Sequence, residues 1–306
     1  MKKVLVTGAS GFIARNCLSP LVEEDYDVYA VALDQIEGAP ESVKWIEADL
    51  LDEKQAEKTA KDVGATHLLH FAWYAEPKKY WSAEENFKWL EASKALLKYF
   101  YDSGGQRAVM AGTCAEYDWQ HGCCDESGTP LLPATVYGKC KHFLQESMTT
   151  FSKKTGLSSA WGRIFFLYGP NEHPARLVPH VVTSILKGNP AFCSHGNQLR
   201  DFLYVKDVAS AFVSLLNSDV QGAVNIASGE AIALKEVITK IGEKIGRSEL
   251  IRLGAIPSSK DEPPMLVANI QRLTNEVRWA PGYDIDTGLD QTIEWWRNNL
   301  EKKVVH

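Results

Sequence analysis

The first fourteen residues constrain the fold of this 306-residue chain more than any other stretch. Lys3 to Thr7 is a run of β-branched and aliphatic residues of the kind that fills a buried parallel strand. Gly8 and Gly11 follow at once with the spacing Gly-x-x-Gly-x-x-Ala, and a helix is predicted from Phe12 to Glu24. Glycine permits a tight turn and a close approach of backbone to ligand, and the amides at a helix N-terminus attract phosphate. Strand, turn and helix together predict a site for the pyrophosphate of a dinucleotide.

Length and composition are those of an ordinary globular protein, with 45% hydrophobic and 24% charged residues. The formal net charge of −6 provides no basic surface, so nucleic acid is not an expected partner. No apolar run reaches the roughly 18 residues that a membrane span needs, and no signal-peptide cleavage pattern follows the N-terminus. We therefore expect no membrane partner and a cytoplasmic location.

The cysteines and histidines do not indicate a metal site. The six cysteines include no Cys-x-x-Cys pair, and the histidines lack carboxylate or cysteine partners at ligand spacing. The cysteines are predicted to be reduced thiols, and no metal is expected. A strained vicinal disulfide between Cys123 and Cys124 is the alternative, which a reducing compartment disfavours.

Strands and helices alternate along the chain, which predicts an α/β fold with a doubly wound parallel sheet. The second predicted strand, Asp27 to Leu33, is followed by Asp34, at roughly the 20-residue distance from the glycines that ribose-binding carboxylates have. Such a carboxylate accepts hydrogen bonds from the adenosine ribose and repels a 2′-phosphate, so it favours NAD(H) over NADP(H). Arg15 could soften that repulsion, and a loop or helix-capping role is the alternative for Asp34.

The third and fourth predicted strands also end on residues that could face the cofactor. Asp49 follows the third strand, Lys44 to Glu47, where it could meet the adenine amino group or cap the helix from Glu53 to Val63. Both possibilities remain open from the sequence. The fourth strand, His67 to Phe71, is followed by Ala72, and a small residue there would let the backbone pass close to the pyrophosphate.

The chemistry is predicted to follow the fifth strand, Ala108 to Ala111. Thr113 places a hydroxyl at the carboxyl end of that strand, where open α/β sheets bind their ligands. A helix predicted from Thr135 toward Lys154 puts Tyr137 and Lys141 on one face, one turn apart. An ammonium about 4 Å from a phenol, at an effective dielectric constant of about 20, would lower the pKa of the phenol by roughly 3 units.

Tyr137 could then exchange a proton with a carbonyl or alcohol oxygen that Thr113 also binds. A surface Tyr and Lys on an amphipathic helix are the alternative. The helix from about Ala83 to Ser103 carries too many apolar residues for one buried face, so it is predicted to bury a second surface, as in a dimer contact.

These motifs resemble the extended short-chain dehydrogenases/reductases, in the branch of nucleotide-sugar epimerases, dehydratases and ketoreductases. The resemblance covers nearly the whole chain. Its ordered matches are Thr7 to Ala14, Asp49-Leu50, Asn86, Thr113, Tyr137 with Lys141, Arg163 through Pro170, Arg200 to Ala209 and Asn225 to Glu230.

The resemblance implies a Rossmann-type domain at residues 1–165, with a return at about 201–225, and a smaller discontinuous sugar-nucleotide domain at 166–200 and 226–306. It also implies a homodimer, formed as a four-helix bundle by the helices at about 83–103 and 135–154. The implied catalytic residues are Thr113, Tyr137 and Lys141. The predicted cofactor contacts are Gly8, Ser10, Gly11, Phe12, Ile13, Asp34, Asp49, Leu50, Phe71, Ala72, Tyr137 and Lys141. The predicted substrate contacts are Asn86, Thr113, Arg176, Phe192 and Arg200, with Arg200 on the pyrophosphate and Phe192 on the nucleobase.

Departures from the family pattern bear on function. Cys114-Ala115 stands where the dehydratase branch carries Asp-Glu, which argues against a 4,6-dehydratase. Phe166 and Ser259 replace an asparagine and an arginine that hold substrate phosphates in the family. Contacts that could compensate, or could be ordinary solvated side chains, are those of Lys260, Arg176 and His173.

Two enzymatic interpretations follow. In the first, reduced nicotinamide gives hydride to C4 of a nucleotide-linked 4-keto-6-deoxy sugar while Tyr137 gives the proton, which is a ketoreductase step. In the second, bound NAD oxidises C4 and the hydride returns to the opposite face, which makes a 4-epimerase. Asp34 favours the epimerase, whereas the altered phosphate contacts and the region from Gly112 to Tyr137 favour the ketoreductase, which is the preferred prediction. A catalytically silent, cofactor-sensing interaction protein is a third hypothesis, and the intact Thr113, Tyr137 and Lys141 argue against it.

Overall fold

Strands and helices alternate through most of the computed structural model, which describes residues 2–258 and 262–304. The strands in chain order are β1 (Lys3–Thr7), β2 (Asp27–Ala32), β3 (Lys44–Glu47), β4 (His67–His70), β5 (Arg107–Thr113), β6 (Cys123–Cys124), β7 (Ser158–Ile164), β8 (Phe166–Tyr168), β9 (Ala191–Phe192), β10 (Leu199–Arg200), β11 (Phe202–Tyr204), β12 (Gly222–Ile226), β13 (Ile232–Ala233), β14 (Ile251–Arg252) and β15 (Met265–Ala268). The α-helices are α1 (Ala14–Glu23), α2 (Glu53–Val63), α3 (Glu85–Asp102), α4 (Val136–Thr155), α5 (Leu177–Leu186), α6 (Val205–Asn217), α7 (Leu234–Ile245) and α8 (Ile285–Val304).

Seven strands form one parallel sheet in the order β12-β7-β5-β4-β1-β2-β3. The chain runs from β1 to β2 and β3 on one side and then crosses to β4 on the other, so the strand order reverses between β1 and β4. Thr7 and His70 are register partners at the carboxyl ends of these two strands. Open α/β sheets bind ligands at such a reversal. The predicted doubly wound, Rossmann-type sheet is confirmed.

Helices cover both faces of this sheet, so its central strands are buried along nearly their whole length. On one face α1 and α6 pack in an apolar cluster that includes Leu18 and Phe212. On the other face α2, α3 and α4 pack in a cluster that includes Leu97 and Met148. Because the body of the sheet is buried, we expect ligands to bind at the segments that follow the strand ends.

The first helix starts later than the sequence pattern predicts. It begins at Ala14 rather than Phe12, because residues 8–13 form turns in which the Gly11 amide donates to the Gly8 carbonyl at 2.8 Å. Phe12 and Ile13 therefore belong to the glycine turn. Their side chains are half-buried.

The aspartate that caps α2 is Asp52. Its carboxylate accepts from the amides of Lys54 and Gln55 at 2.9 and 3.2 Å. Asp49 instead accepts from the Leu51 amide at 2.9 Å, in a turn that follows β3. The capping alternative for Asp49 is therefore wrong, because the residue directly before the first helical position has the capping geometry.

The remaining strands form a smaller layer beside the carboxyl ends of the main sheet. A four-stranded sheet has the order β13-β10-β15-β6, and two short pairs join β11 to β8 and β14 to β9. Helices α5, α7 and α8 share an apolar cluster with Tyr168 and Tyr204, and Phe12 of the glycine turn packs against that cluster. The predicted domain boundaries stay a prediction.

Asp201 connects three segments of this smaller layer by hydrogen bonds. Its fully buried carboxylate accepts from the amide and hydroxyl of Ser228 at 2.7 and 2.6 Å, from the Gly229 amide at 2.9 Å and from the Ala268 amide at 3.2 Å. Two of the sequence motifs, around Asp201 and Ser228, thus meet as one structural unit.

Within residues 2–258 and 262–304, no helix combines the length and apolar character needed to cross a bilayer. The same two ranges hold no group of three or more His, Cys, Asp or Glu side chains placed to bind a metal ion. The six cysteines are free thiols.

Candidate active site

The turn between β1 and α1 passes so close to the end of β4 that only glycine fits there. Gly8 has φ of +65°, and a Cβ added to it would lie 2.8 Å from the Ala72 nitrogen. A Cβ on Gly11 would lie 2.9 Å from the Gly8 carbonyl oxygen. Ile13, which precedes α1, makes no side-chain capping hydrogen bond to the helix. A bare backbone turn against an uncapped helix N-terminus fits the pyrophosphate of a dinucleotide.

A buried histidine holds the ends of β1 and β4 together below this turn. Thr7 Oγ1 and His70 Nδ1 are 2.6 Å apart, and His70 Nε2 lies 2.9 Å from the Ser93 hydroxyl of α3. The Ala72 amide donates to Thr7 Oγ1 at 3.3 Å. Burial lowers the pKa of His70 to about 3, so the ring is neutral. Sequence reasoning gave His70 no role, since its partners are distant in the chain.

The other predicted cofactor residues lie along the same edge of the sheet. Asp34 is exposed just beyond β2, and Asp49 is exposed beyond β3 beside the buried Leu50. Phe71 packs edge-on against Phe212, with ring centroids 4.8 Å apart. Ser10 lies half-buried in the glycine turn. The structure therefore brings these residues to one side of the molecule, and their contacts with a cofactor stay a prediction.

Thr113, Tyr137 and Lys141 converge at the carboxyl end of β5. Thr135 accepts a hydrogen bond from the Gly138 amide at 3.0 Å and so caps the start of α4, which orients Tyr137 in the first turn of that helix. Lys141 is almost fully buried, and its ammonium donates to the Ala111 carbonyl at 2.8 Å. A phenol, a hydroxyl and an ammonium at a strand end form a candidate proton-transfer site.

Burial, rather than the neighbouring ammonium, dominates the acidity of Tyr137. Desolvation and the nearby Tyr80 hydroxyl raise the pKa of Tyr137 well above its ordinary value, and a hydrogen bond with Thr113 opposes the rise. The predicted lowering of this pKa by Lys141 is therefore not observed in the isolated protein. Burial also lowers the pKa of Lys141 to about 7, against the charge of Glu116, which raises it. The phenol is protonated at neutral pH.

A buried ion pair fixes the position of Thr113. Glu116 Oε1 accepts from the Thr113 amide at 2.8 Å and from Trp161 Nε1 at 2.9 Å. Glu116 Oε2 accepts from Arg163 Nε at 2.8 Å, and Arg163 also donates to the Tyr117 hydroxyl at 3.0 Å. The sequence contained the signal for one of these bonds, because Thr113 and Glu116 have the spacing of a capping box. The pairing of Glu116 with Arg163 had no such local signal.

Asn86, a predicted substrate contact, is fully buried and bonded to protein groups. Its carbonyl accepts from Trp73 Nε1 at 2.8 Å, and its amide donates to the carbonyls of Tyr80 and Ala83 at 2.7 and 2.8 Å. Asn86 thus fastens the segment between β4 and α3 onto the start of α3. A substrate contact would require it to exchange one of these bonds.

Arg200, predicted to bind the pyrophosphate, already carries a carboxylate partner. Its guanidinium donates to Glu262 Oε1 at 2.9 Å and to the Leu199 carbonyl at 2.8 Å. The guanidinium also lies 5.3 Å from the centroid of the Phe166 ring. Phe166 therefore occupies the neighbourhood of Arg200, where the family pattern has asparagine. Ser259 and Lys260 lie outside the described residues.

Arg176 contacts Tyr80, and Tyr80 packs against the candidate catalytic residue Tyr137. Its guanidinium is 5.2 Å from the centroid of the Tyr80 ring, and the Tyr80 ring is 4.9 Å from that of Tyr137, edge to face. Glu172, in the same loop, is buried, and its Oε2 has no hydrogen-bond partner in the part of the chain that the structure describes. Burial raises the pKa of Glu172 to about 8. Phe192 lies at 53% exposure on β9. Sequence reasoning singled out Arg176 and Phe192 but missed Tyr80 and Glu172, because their proximity depends on the tertiary fold.

The glycine turn gives a direct test of the cofactor site. We expect Gly8→Ala to weaken NAD binding by more than about tenfold, because the new methyl group must displace the Ala72 backbone in addition to the strain of positive φ. Isothermal titration calorimetry with NAD measures this. Gly246→Ala is the matched control, since Gly246 also has positive φ, of +76°, but a Cβ there meets nothing within 4 Å. Equal NAD affinity in Gly8→Ala and Gly246→Ala would contradict the assignment.

Comparison with known proteins identifies the family of this chain. The model of the NAD dependent epimerase/dehydratase family matches residues 4–227. The dTDP-D-glucose 4,6-dehydratase of Mus musculus is 24% identical over 98% of this chain and 90% of its own length. The putative UDP-glucose 4-epimerase of Methanocaldococcus jannaschii is 26% identical over 97% of this chain and 99% of its own length. The structure of UDP-glucose 4-epimerase from Thermus thermophilus in complex with NAD superposes with a TM-score of 0.87 at 24% identity, covering 96% of this chain and 99% of that chain. The family model matches more than half of the residues of this chain, so the chain belongs to the NAD-dependent epimerase/dehydratase family.

Proposed function

We propose that this protein is an NAD-dependent oxidoreductase that acts at C4 of a nucleotide-linked sugar, in the first instance as a 4-epimerase. The observation that carries the proposal is the convergence of Thr113, Tyr137 and Lys141 at the end of β5, on the same sheet edge as the glycine turn. Relatives named as UDP-glucose 4-epimerases support the substrate class.

In this proposal Tyr137 Oη is the atom that exchanges a proton with the C4 oxygen of the sugar. The Thr113 hydroxyl binds the same oxygen and thereby fixes its distance from Tyr137. The buried ammonium of Lys141 favours the phenolate once the phenol has given up its proton. Bound NAD supplies a reversible hydride acceptor for the C4 carbon.

Asp34 supports the use of NAD(H) in preference to NADP(H). It lies exposed just beyond the end of β2, at the position where a carboxylate accepts hydrogen bonds from the ribose hydroxyls. The same carboxylate would repel a 2′-phosphate. In this proposal the turn of Gly8 and Gly11 binds the pyrophosphate of the cofactor, and Asp34 binds its adenosine ribose.

The residues after Thr113 argue against elimination of water. Cys114 and Ala115 are both buried, and burial raises the pKa of the Cys114 thiol far above neutrality. Neither residue can act as the acid or base that a 4,6-dehydratase needs beside the sugar ring. Without these acids, Thr113, Tyr137 and Lys141 support hydride transfer at C4 with no elimination of water.

A C4 ketoreductase of a nucleotide-linked 4-keto-6-deoxy sugar is the second candidate. It is favoured by the state of Tyr137, which is held protonated and so is ready to donate to a carbonyl oxygen. The epimerase, which begins by taking a proton, needs the charges of Lys141 and of oxidised nicotinamide to lower that pKa. The two activities therefore differ in the protonation state from which Tyr137 starts.

Two assays on the purified protein distinguish these candidates. A 4-epimerase interconverts UDP-glucose and UDP-galactose, or another pair of C4 epimers, with no net change in absorbance at 340 nm. A ketoreductase consumes NADH stoichiometrically when offered enzymatically generated nucleotide 4-keto-6-deoxy sugars. Loss of absorbance with a keto sugar, together with no interconversion of epimers, would replace the epimerase by the ketoreductase.

Removing the Tyr137 hydroxyl should abolish turnover while leaving cofactor binding in place. We expect Tyr137→Phe to reduce kcat by about 10²-fold or more, in line with the loss of a general acid or base. Calorimetry should show NAD affinity within about threefold of the wild type, because the ring keeps its packing. A variant that keeps full turnover would overturn the role of Tyr137 in both enzymatic candidates. Biological activity that survives the change while turnover is lost would favour the silent, cofactor-sensing protein.

The ion pair of Arg200 with Glu262 gives a test of the phosphate site. A substrate diphosphate at Arg200 must compete with the Glu262 carboxylate, so Glu262→Gln should lower KM for the nucleotide sugar by about three- to tenfold with little change in kcat. Glu249→Gln removes one negative charge from an exposed pair with Arg247 and serves as the control. A higher KM in Glu262→Gln would mean that Glu262 orients Arg200 instead of competing for it.

Helices α3 and α4 also support the proposed homodimer. An open groove of about 650 Å³ runs between them, and its lining combines three apolar residues with polar and charged ones: Leu90, Phe143 and Phe151 with Lys94, Glu146, Ser147, Thr150 and Lys154. Phe87 and Phe143 are more than half exposed. A second copy that presents the same two helices would cover this apolar surface.

A charged residue introduced into the groove between α3 and α4 should dissociate the proposed homodimer. We expect Phe143→Arg to shift the sedimentation coefficient from that of a dimer to that of a monomer, because a charged side chain would replace an apolar one at the contact between the copies. Leu132→Arg is the control, since Leu132 is also more than half exposed but lies in the loop before α4. A wild-type protein that sediments as a monomer would overturn the dimer proposal.

A further inference from the structure

The ammonium of Lys141 rests on the face of an indole ring. Its Nζ lies 3.9 Å from the centroid of the Trp73 ring, and its other close partner is the Ala111 carbonyl at 2.8 Å. Trp73 is half-buried in the segment that joins β4 to α3. The sequence motifs gave Trp73 no role of its own.

The Trp73 ring is held in one orientation by a buried anchor. Its Nε1 donates to the carbonyl of Asn86 at 2.8 Å, and Asn86 in turn donates to two backbone carbonyls of the same segment. The ring also lies nearly perpendicular to that of Tyr137, with centroids 6.4 Å apart. Trp73 therefore touches both members of the Tyr137–Lys141 pair.

Next to the Lys141 ammonium, an aromatic ring has an advantage over a carboxylate. The electron-rich face of an indole stabilises a nearby cation by its quadrupole and carries no net charge. A carboxylate in the same place would also keep Lys141 protonated, but its negative charge would cancel the field of the ammonium at the Tyr137 hydroxyl. The indole stabilises the ammonium and leaves that field intact.

Of the other groups around Lys141, Glu116 raises the pKa of the ammonium by its charge, but the ring face that the ammonium contacts is that of Trp73. His70 on β4 is neutral, and its charged form would repel the ammonium. Glu116, after β5, is already bonded to Arg163, Trp161 and the Thr113 amide. On α4 the neighbour is Tyr137 itself, which is protonated.

We propose that Trp73 is a positioning residue for the Tyr137–Lys141 pair: its ring face seats the Lys141 ammonium beside Tyr137, and Asn86 fixes the ring. Only the consequence for catalysis rests on the proposed function. The seating of the ammonium is a property of the protein alone, and it can be measured without substrate or cofactor.

The direct test is a pH titration of Lys141 by NMR in protein labelled at the lysine ε-carbons, with the Lys141 signal assigned by its loss in Lys141→Met. We expect Trp73→Leu to lower the pKa of Lys141 by about one unit, a tenfold change in its protonation constant. Trp73→Phe keeps a weaker aromatic face and should lower that pKa by a smaller amount. If Trp73→Leu does not fold, Trp73→Phe carries the test by itself.

Trp81→Leu is the matched control. Trp81 packs against the ring of Tyr137 at 5.9 Å, while the ring on which the Lys141 ammonium rests is that of Trp73. We expect the Lys141 titration in Trp81→Leu to match the wild type within about 0.3 units, a difference well below the one expected for Trp73→Leu. A Lys141 titration that is unchanged in both folded Trp73 variants, or that moves equally in Trp81→Leu, would overturn the inference.

Activity gives a second readout that separates this inference from the proposed function. An ammonium exists only below its pKa, so a lower pKa of Lys141 should move the alkaline fall of kcat/KM to lower pH by about the same one unit in Trp73→Leu. If no turnover is found with any nucleotide sugar, the proposed function fails while the NMR result still decides the role of Trp73. If turnover is found and the alkaline limb stays in place while the NMR pKa shifts, Trp73 seats the ammonium without a part in catalysis.

Discussion

The buried pair of Glu116 and Arg163 is the interaction on which the candidate active site depends. It joins the end of β5 to β7, and through Tyr117 and Asn225 it continues to β12. Two charges taken out of water cost free energy unless every oxygen and nitrogen is bonded, and here the carboxylate has four hydrogen bonds. Such a network adds little stability over an apolar core, but it allows one geometry only. That geometry fixes the backbone of Thr113, through its amide, at the end of β5.

Three cationic side chains in and around the same site each lie against an aromatic ring. Lys141 rests on Trp73, Arg176 lies over Tyr80, and Arg200 lies beside Phe166. Aromatic faces stabilise cations without neutralising them, so each charge remains available to a phenolate or to an anionic ligand. Within residues 2–258 and 262–304, Arg200 is the one of these three with a carboxylate ion-pair partner, which makes it the cation whose charge is most masked.

Backbone packing at the strand reversal provides the other half of the site. Gly8 meets Ala72 at a distance that leaves no room for a side chain, and Thr7 and His70 tie the two strands together directly below. Because the segment that begins at Ala72 continues into Trp73 and Tyr80, the turn that suits a cofactor and the rings that surround Tyr137 belong to one connected structure.

The sequence alone determined the elements that repeat a local pattern: the alternation of strands and helices, the glycine turn, the helix that carries Tyr137 and Lys141, and hence the family. Each of these depends on residues within a few positions of one another, where spacing and propensity suffice. Only the tertiary structure decided that Asn86 anchors Trp73, that Glu116 pairs with Arg163 and Arg200 with Glu262, and that burial raises the pKa of Tyr137. These features arise between side chains that are far apart in the chain, and desolvation depends on everything packed around a group, so no local pattern could reveal them.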